Sequence, residues 1–334
     1  MEEERRIGWV DMARGICMMA ILFFHAEKYD VGEEIIPYAC YVNNAIIFFF
    51  FVSGYLFKKP QKAFSLRHKL RSILRTMVIP YFVFTLILAL PKAFVHDDMS
   101  IAEVLTLILT GHASWFIAAL IVCELFFAFL LHVTEGKGKW LFICSALPYF
   151  LIASCYHFLS ADALRSINVW CWQNACLLLF FMYAGYHYRK MEPQLHSIHP
   201  AFYGGMVILL IVLKYLQQTN GMLLTLEPIT VSSFTLLLID GCLGILVLLV
   251  IFRRMPQVRL VEWTGKNSLF YYFICGGVPF MVSKGLQLIG FPYQGVYVQV
   301  IVAFLLVYIF STIIVYGLNH LYSFLFLKNK RKKE

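Results

Sequence analysis

Apolar residues run along this chain in ten stretches, each at least as long as the roughly 18 to 22 positions a helix needs to cross a hydrocarbon core. The stretches are 7–25, 38–57, 76–95, 114–132, 140–157, 168–188, 199–217, 231–252, 267–284 and 293–318. No Gly/Ser/Pro-rich or charged linker separates them into halves. The pattern therefore predicts an all-α polytopic transmembrane helical bundle of about ten spans, with residues 1–334 forming a single membrane domain. Residues 97–112 carry an apolar pattern of their own (Ile101, Val104, Leu105, Ile108, Leu109), which predicts a short interfacial or re-entrant helix. Pro80, Pro91 and Pro148 fall within or at the ends of spans and predict kinks there.

Composition agrees with the pattern. With 60% apolar, 17% aromatic and 14% charged residues, the chain has too little polar surface to cover a soluble globule of its size. A net charge of +9 is compatible with nucleic-acid binding, but the positions of the charges favour a membrane explanation. Arg5 and Arg6, the 58–75 loop, Lys137 and Lys139, Arg189 and Lys190, the 253–266 segment, and the 328–333 tail together hold 22 of the 28 basic residues. They all fall on one side if the N-terminus is cytoplasmic, so both termini are expected inside, in a multi-pass protein of the cell (inner) membrane. No basic-aromatic recognition motif is present, and no nucleic-acid partner is expected; the lipid bilayer is. The opening MEEERR carries three acids, and Asp11 and Arg14 interrupt the apolar run behind it, so this segment is read as a retained span, not a cleaved leader. The nine cysteines fall almost entirely inside apolar stretches without a CxxC pair and are expected to be packing residues. The histidines show no ligand spacing, and no metal is expected.

The first span raises the question of chemistry, because Asp11, Arg14 and His25 are ionisable residues in a segment apolar enough to cross a bilayer. Arg14 and His25 are eleven residues apart, three helical turns plus about 20°, and so share a face, with an axial separation of about 16 Å. Asp11, three residues before Arg14, lies on nearly the same stripe and can hold its guanidinium. Pairing near the interface, with His25 marking the end of the span, accounts for the same residues without function. Three aligned ionisable groups are nevertheless more than anchoring requires.

Elsewhere, the 58–75 loop is a basic amphipathic helix with Arg67, Arg71 and Arg75 on one face. Lipid-headgroup anchoring and phosphate binding by the guanidinium groups both explain it. Lys266 and Asn267 sit at a cytoplasmic helix start, where an anion is also favoured. Trp115 and Phe116 stand where an aromatic belt is expected. Glu124 and Asp240 lie too deep for anchoring and are expected to face the bundle interior, where pairing between helices is as good an explanation as catalysis. Asn43, Asn44, Gln173 and Asn174 are expected to bond between helices. Ser53, in FVSGY, lacks the G-x-S-x-G elbow of a hydrolase nucleophile; with Gly54 it permits close helix approach.

Asp11, Arg14 and His25, followed in order by IIFFFFVSGYLF with Ser53-Gly54-Tyr55, RTMVIPY (75–81), SWFIAAL (114–120) and TGKNSLFYY (264–272), resemble the motifs of the membrane acyltransferase 3 family of ten-span, fucose O-acetylase-like proteins. The resemblance runs from residue 7 to about residue 283. It implies acyl-CoA-dependent O-acylation, commonly transfer of acetyl from acetyl-CoA to a hydroxyl of a carbohydrate, as in polysaccharide modification. On that basis His25 is the general base, acting with Asp11 and Arg14. Arg14, Arg71, Arg75, Lys266 and Asn267 hold the acyl donor. Trp115, Phe116, Glu124 and Asn44 line the carbohydrate acceptor, with His112 and Ser114 as further acceptor contacts. The family's late helix often continues to a His where this chain has Cys275, and no role is carried over to that position. The rival reading is a polytopic transporter of a glycan or small solute, with Asp11, Arg14, Glu124 and Asp240 along the path and no consumption of acyl-CoA.

Overall fold

The computed structural model describes residues 7–58, 63–95, 100–192 and 200–327. Arg5, Arg6, Lys59, Lys62 and the basic 328–333 tail, all used in assigning the sides, lie outside the described residues, as do positions 97–99 of the outer connection. Each of the ten predicted spans is helical: α1 (Gly8–Val31), α2 (Tyr38–Leu56), α4 (Ile79–Val95), α6 (Trp115–Val133), α7 (Gly138–Phe158), α9 (Trp172–Met191), α10 (Pro200–Thr219), α11 (Phe234–Arg254), the pair α13 (Ser268–Ile274) and α14 (Gly277–Leu288), and α15 (Tyr297–Leu327). Among the described residues, eight helices are long and apolar enough to cross a membrane, and nine if the bent pair counts as one span. The architecture is an all-α polytopic bundle. The sixth stretch, α9, is a 20-residue helix whose apolar run is interrupted by Gln173, Asn174, His187, Arg189 and Lys190; most of its side chains are buried within the protein.

Shorter elements fill the connections. They are α3 (Leu66–Ile73), α5 (Ile101–Thr110), α8 (Ala161–Ser166), α12 (Arg259–Lys266) and a hairpin of β1 (Leu224–Leu226) and β2 (Ile229–Val231), antiparallel with Thr225 opposite Thr230. Helix α5 is the short apolar helix expected in the 97–112 connection. Ser100 and Glu103 close a capping box at its start, and Gly111, at φ +88°, ends it in the left-handed conformation that glycine adopts without strain. Helix α3 begins at Ser65, whose Oγ accepts the His68 N–H at 3.4 Å. Its last residues pass into a π-helical turn, Leu74–Val78, that leads into α4. Regular (i, i+4) counting did not foresee this turn; π-turns recur at functional sites.

Helix α1 runs six residues beyond its predicted end. Lys28 in its last turn and Gly32 at φ +92°, whose N–H bonds the Lys28 carbonyl, are the ordinary signals of a helix C-terminus and place it at Val31. The predicted span at 267–284 is broken instead of continuous, with its halves bent by 51° around Cys275 and Gly276.

The chain divides into two compact units. One comprises the segments up to Ala45 and from Leu249 onward, and in it α1 packs along α12, α13, α14 and α15. The other is Ile46–Leu248, where α6, α7 and α9 pack together and α3 lies against α6. The same device sits inside each unit. In the first, a Cβ on Gly15 would overlap the Val261 carbonyl, and a Cβ on Gly265 would overlap the Asp11 carbonyl. In the second, a Cβ on Gly54 would overlap the Met182 carbonyl, and a Cβ on Gly185 the Phe51 carbonyl. At both crossings, paired glycines let helix backbones touch, the close approach that small residues allow where lipid supplies no hydrophobic drive to association.

All nine cysteines are free, in keeping with a packing role. Gly265→Leu and Gly185→Leu should each sharply reduce the yield of folded, detergent-extractable protein and its thermal midpoint. Gly205→Ala, where nothing lies within 4 Å, should leave both unchanged. Fluorescence-detected size exclusion with a thermal ramp reads the difference.

Candidate functional site

In the first unit, Arg14 is half-buried, and its Nη2 donates to Ser268 Oγ at 2.9 Å. Ser268 opens α13, so this bond fixes the inner half of α1 to the start of the SLFYY segment. Asp11, one turn earlier, is buried, and its carbonyl is the group that Gly265 admits. Asn267 Nδ2 donates to the Trp263 carbonyl at 2.8 Å and closes α12, while Lys266 Nζ lies 3.5 Å from Glu262 Oε2. Three of the five predicted donor residues (Arg14, Lys266 and Asn267) are thus gathered at one end of this unit. Thr264, bonded to the Tyr308 hydroxyl at 2.7 Å, and Tyr271, bonded to Thr312 Oγ1 at 2.8 Å, hold the 264–272 segment against α15.

His25 lies three turns along α1. Its ring stacks on Tyr29 at 6.3 Å and stands edge-on to Phe24 at 5.4 Å, and it forms no hydrogen bond with a described residue. It is half-buried in an aromatic surround. The imidazole is held by aromatic packing. Tyr29 packs against Phe280 at 5.7 Å, and its carbonyl accepts from Ser283 Oγ at 2.8 Å, which ties this end of α1 to α14.

Sequence reading missed a buried carboxylate nearby. Glu27 is 0% exposed; its Oε1 accepts from the Tyr297 hydroxyl at 2.9 Å and its Oε2 from the Ile36 N–H at 3.2 Å. It fastens the outer end of α1 to the 32–37 turn and to α15. The Lys28 and Gly32 stop signals would have kept Glu27 inside the helix; ending the span at residue 25 placed it in a loop.

In the second unit, Arg71 and Arg75 are exposed, Arg71 on α3 and Arg75 within the π-turn. Glu124 accepts from Ser53 Oγ at 2.5 Å and pairs with Lys69 Nζ at 3.0 Å. Lys69 also lies over the Phe57 ring at 3.8 Å. Ser53, read from sequence as a small packing residue, is therefore also a hydrogen-bond donor to a buried carboxylate. Asp240 is fully buried and pairs with Lys214 Nζ at 2.8 Å. Phe116 is buried edge-on to Phe49 and Phe50, at 5.5 and 5.7 Å, while Trp115 is half-buried beside it. Asn44, which belongs to the first unit, is buried within α2. Gln173 accepts from the Tyr156 hydroxyl of α7 at 2.8 Å, the bond between helices expected of it, and donates to the Leu164 carbonyl, whereas Asn174 bonds to connecting segments, at the Leu226 carbonyl and Asn168. No group of three or more His, Cys, Asp or Glu among the described residues is disposed to hold a metal ion.

These features define a multi-pass helical membrane protein with ionisable groups held at defined depths along its first span. A family model described as an acyltransferase domain (Acyl_transf_3) matches residues 7–320, and the chain belongs to the membrane acyltransferase 3 family. It is a membrane acyltransferase. No curated protein and no solved structure matches the chain significantly.

The Lys214–Asp240 pair yields a prediction. Asp240→Ala removes the carboxylate from a largely buried ammonium and should cost about 3–5 kcal/mol, whereas the double replacement Lys214→Met/Asp240→Leu should recover most of that loss. Thermal unfolding of the three proteins in detergent checks it. Activity that fails to return with stability in the double variant would assign the pair a part in the reaction.

Proposed function

We propose that the protein transfers an acyl group, acetyl in the first instance, from acyl-CoA to a hydroxyl of a sugar or cell-surface glycan, and that it works in the cytoplasmic (inner) membrane. The observation that carries this reading is α1 itself. A cation fixed by Ser268 and a histidine held only by aromatic packing lie about 16 Å apart along one helix.

The chemistry needs both groups. A sugar hydroxyl becomes a competent nucleophile when a base removes its proton as it attacks, and imidazole is the side chain best matched to that task near neutral pH. His25 takes the proton, the oxygen adds to the thioester carbonyl, and the C–S bond breaks. The CoA sulfur leaves and receives the proton back from the imidazolium. The phosphates of the donor are anionic and favour guanidinium and ammonium groups. Arg14 with Lys266 and Asn267 in the first unit are assigned to the donor. Asp11 is assigned to orient Arg14. Trp115, Phe116, Glu124 and Asn44 remain assigned to the acceptor side; for Phe116 and Glu124 that role is indirect, because each is already engaged by protein partners.

Detergent-purified protein should release free thiol from acetyl-CoA in the presence of a suitable saccharide, and His25→Ala should lower the rate by at least about a hundredfold while the protein stays folded. Full turnover in that variant would remove the proposed base. Arg14→Ala should raise the KM for acetyl-CoA about tenfold or more, as expected for loss of a charged hydrogen-bonding group. Directional solute uptake without thiol release would instead support a transporter.

A further inference from the structure

Three connections on the side that the Lys/Arg distribution assigns to the exterior converge in the second unit: the turn before α6, the turn before α9 and the tip of the hairpin. They bring His112, expected from sequence as an acceptor contact, together with Glu227 and Cys171, which the reaction above does not use. His112 Nδ1 lies 3.9 Å from Glu227 Oε1 and 4.0 Å from Cys171 Sγ. The imidazole–carboxylate gap is wider than an N–H···O bond, so the two groups face each other without closing on each other. Glu227 Oε2 is buried and accepts no hydrogen bond from a described residue. Burial pushes the Glu227 carboxyl above its ordinary value, with the Asn174 amide and the Arg165 charge pulling the other way. The recess is open, however, since the His112 and Glu227 side chains are 29% and 24% exposed.

The surround is rigid. Gly111 is seated on the backbone of Trp170, so closely that a Cβ there would meet the Trp170 Cα at 2.7 Å. Trp170 and Cys171 both have left-handed backbones, at φ +57° and +51°, a conformation that costs a non-glycine residue free energy and persists where the surroundings impose it. The hairpin is held on both strands: Asn174 Nδ2 donates to the Leu226 carbonyl at 2.5 Å, and Arg165 Nη2 to Thr230 Oγ1 at 3.2 Å. A glycine, two strained residues and two side-chain clamps thus fix three groups around one small gap.

We infer that His112, Glu227 and the Trp170–Cys171 turn form a binding site for the hydroxyls of a saccharide. An oxygen placed at an ordinary hydrogen-bond length of about 2.8 Å from both His112 Nδ1 and Glu227 Oε1 would see them at about 90°, which suits a hydroxyl that gives one bond and receives another. A second hydroxyl can supply the donor that Glu227 Oε2 lacks. Water could bridge the first gap equally well; Trp170, half-buried and packed on Tyr81 and Phe82 at 5.2 and 5.8 Å, and the half-buried Trp115 adjoin the two turns in sequence, and aromatic rings there favour a ligand with an apolar C–H face as well as hydroxyls. The inference rests on the acyltransferase reading for its function, as a place where the acceptor is held.

The test measures binding and turnover in the same preparations. Saturation-transfer NMR on the detergent-purified full chain uses glucose, galactose, N-acetylglucosamine and their linear tri- and tetrasaccharides as probes. At least one should bind the wild type. Glu227→Gln and His112→Gln, which keep the size of the side chains, should each weaken that binding about tenfold and raise the acceptor KM, with the acetyl-CoA KM and the thermal midpoint unchanged. No binding by the wild type to any probe, or equal binding by both variants, overturns the site. Saccharide binding that depends on Glu227 without any release of thiol from acetyl-CoA keeps the site and removes the transferase reading.

Discussion

A charge in a low-dielectric interior must be held by a partner, and this constraint organises the protein more than any other. Asp240 meets Lys214, Glu124 meets Lys69 and Ser53, Glu27 meets the Tyr297 hydroxyl and the Ile36 N–H, and Arg14 meets Ser268. Each partner comes from a different part of the chain, so every such contact also joins two elements. The ionisable groups that composition makes rare are therefore used as fasteners inside the units.

His25 is the contrast that gives the constraint functional meaning. It lies on the same helix as Arg14 and Glu27, yet its ring is held by Phe24 and Tyr29 and by no hydrogen bond to a described residue. A neutral imidazole can remain so placed without the cost that an unpaired carboxylate or guanidinium would incur. It is thus an ionisable group of α1 that aromatic packing keeps in position. Glu27, two residues on, fixes the helix end on which that positioning depends.

Much of this was legible in the sequence. Ten apolar stretches gave ten helical segments, and the apolar pattern within 97–112 announced α5, because length and periodicity are local properties. The eleven-residue spacing of Arg14 and His25 was legible for the same reason, since one helix carries both. Partners were not legible. Lys69 for Glu124 and Lys214 for Asp240 are separated by 55 and 26 residues, and only packing decides which side chain meets which. The π-turn around Arg75 and the left-handed pair Trp170–Cys171 were missed because both depart from regular periodicity. The hairpin was missed for another reason: its strands are three residues each, too short for an alternating pattern to stand out in an apolar chain.

The glycine crossings explain why the fasteners fall at reproducible depths. Where the Gly15–Val261 and Gly265–Asp11 contacts bring backbone against backbone, the register of α1 on α12 is set to within a residue, because a shift would replace glycine with a side chain that does not fit. Arg14 lies between Asp11 and Gly15, and Ser268 lies three residues past Gly265, so the same register that seats the glycines also brings Nη2 within 2.9 Å of the serine hydroxyl. Along α1, the three helical turns that follow fix the height of His25 above it. Depth in this helix is thus set by a steric contact that lipid composition does not alter, and the distance from fixed cation to free imidazole is a property of the chain.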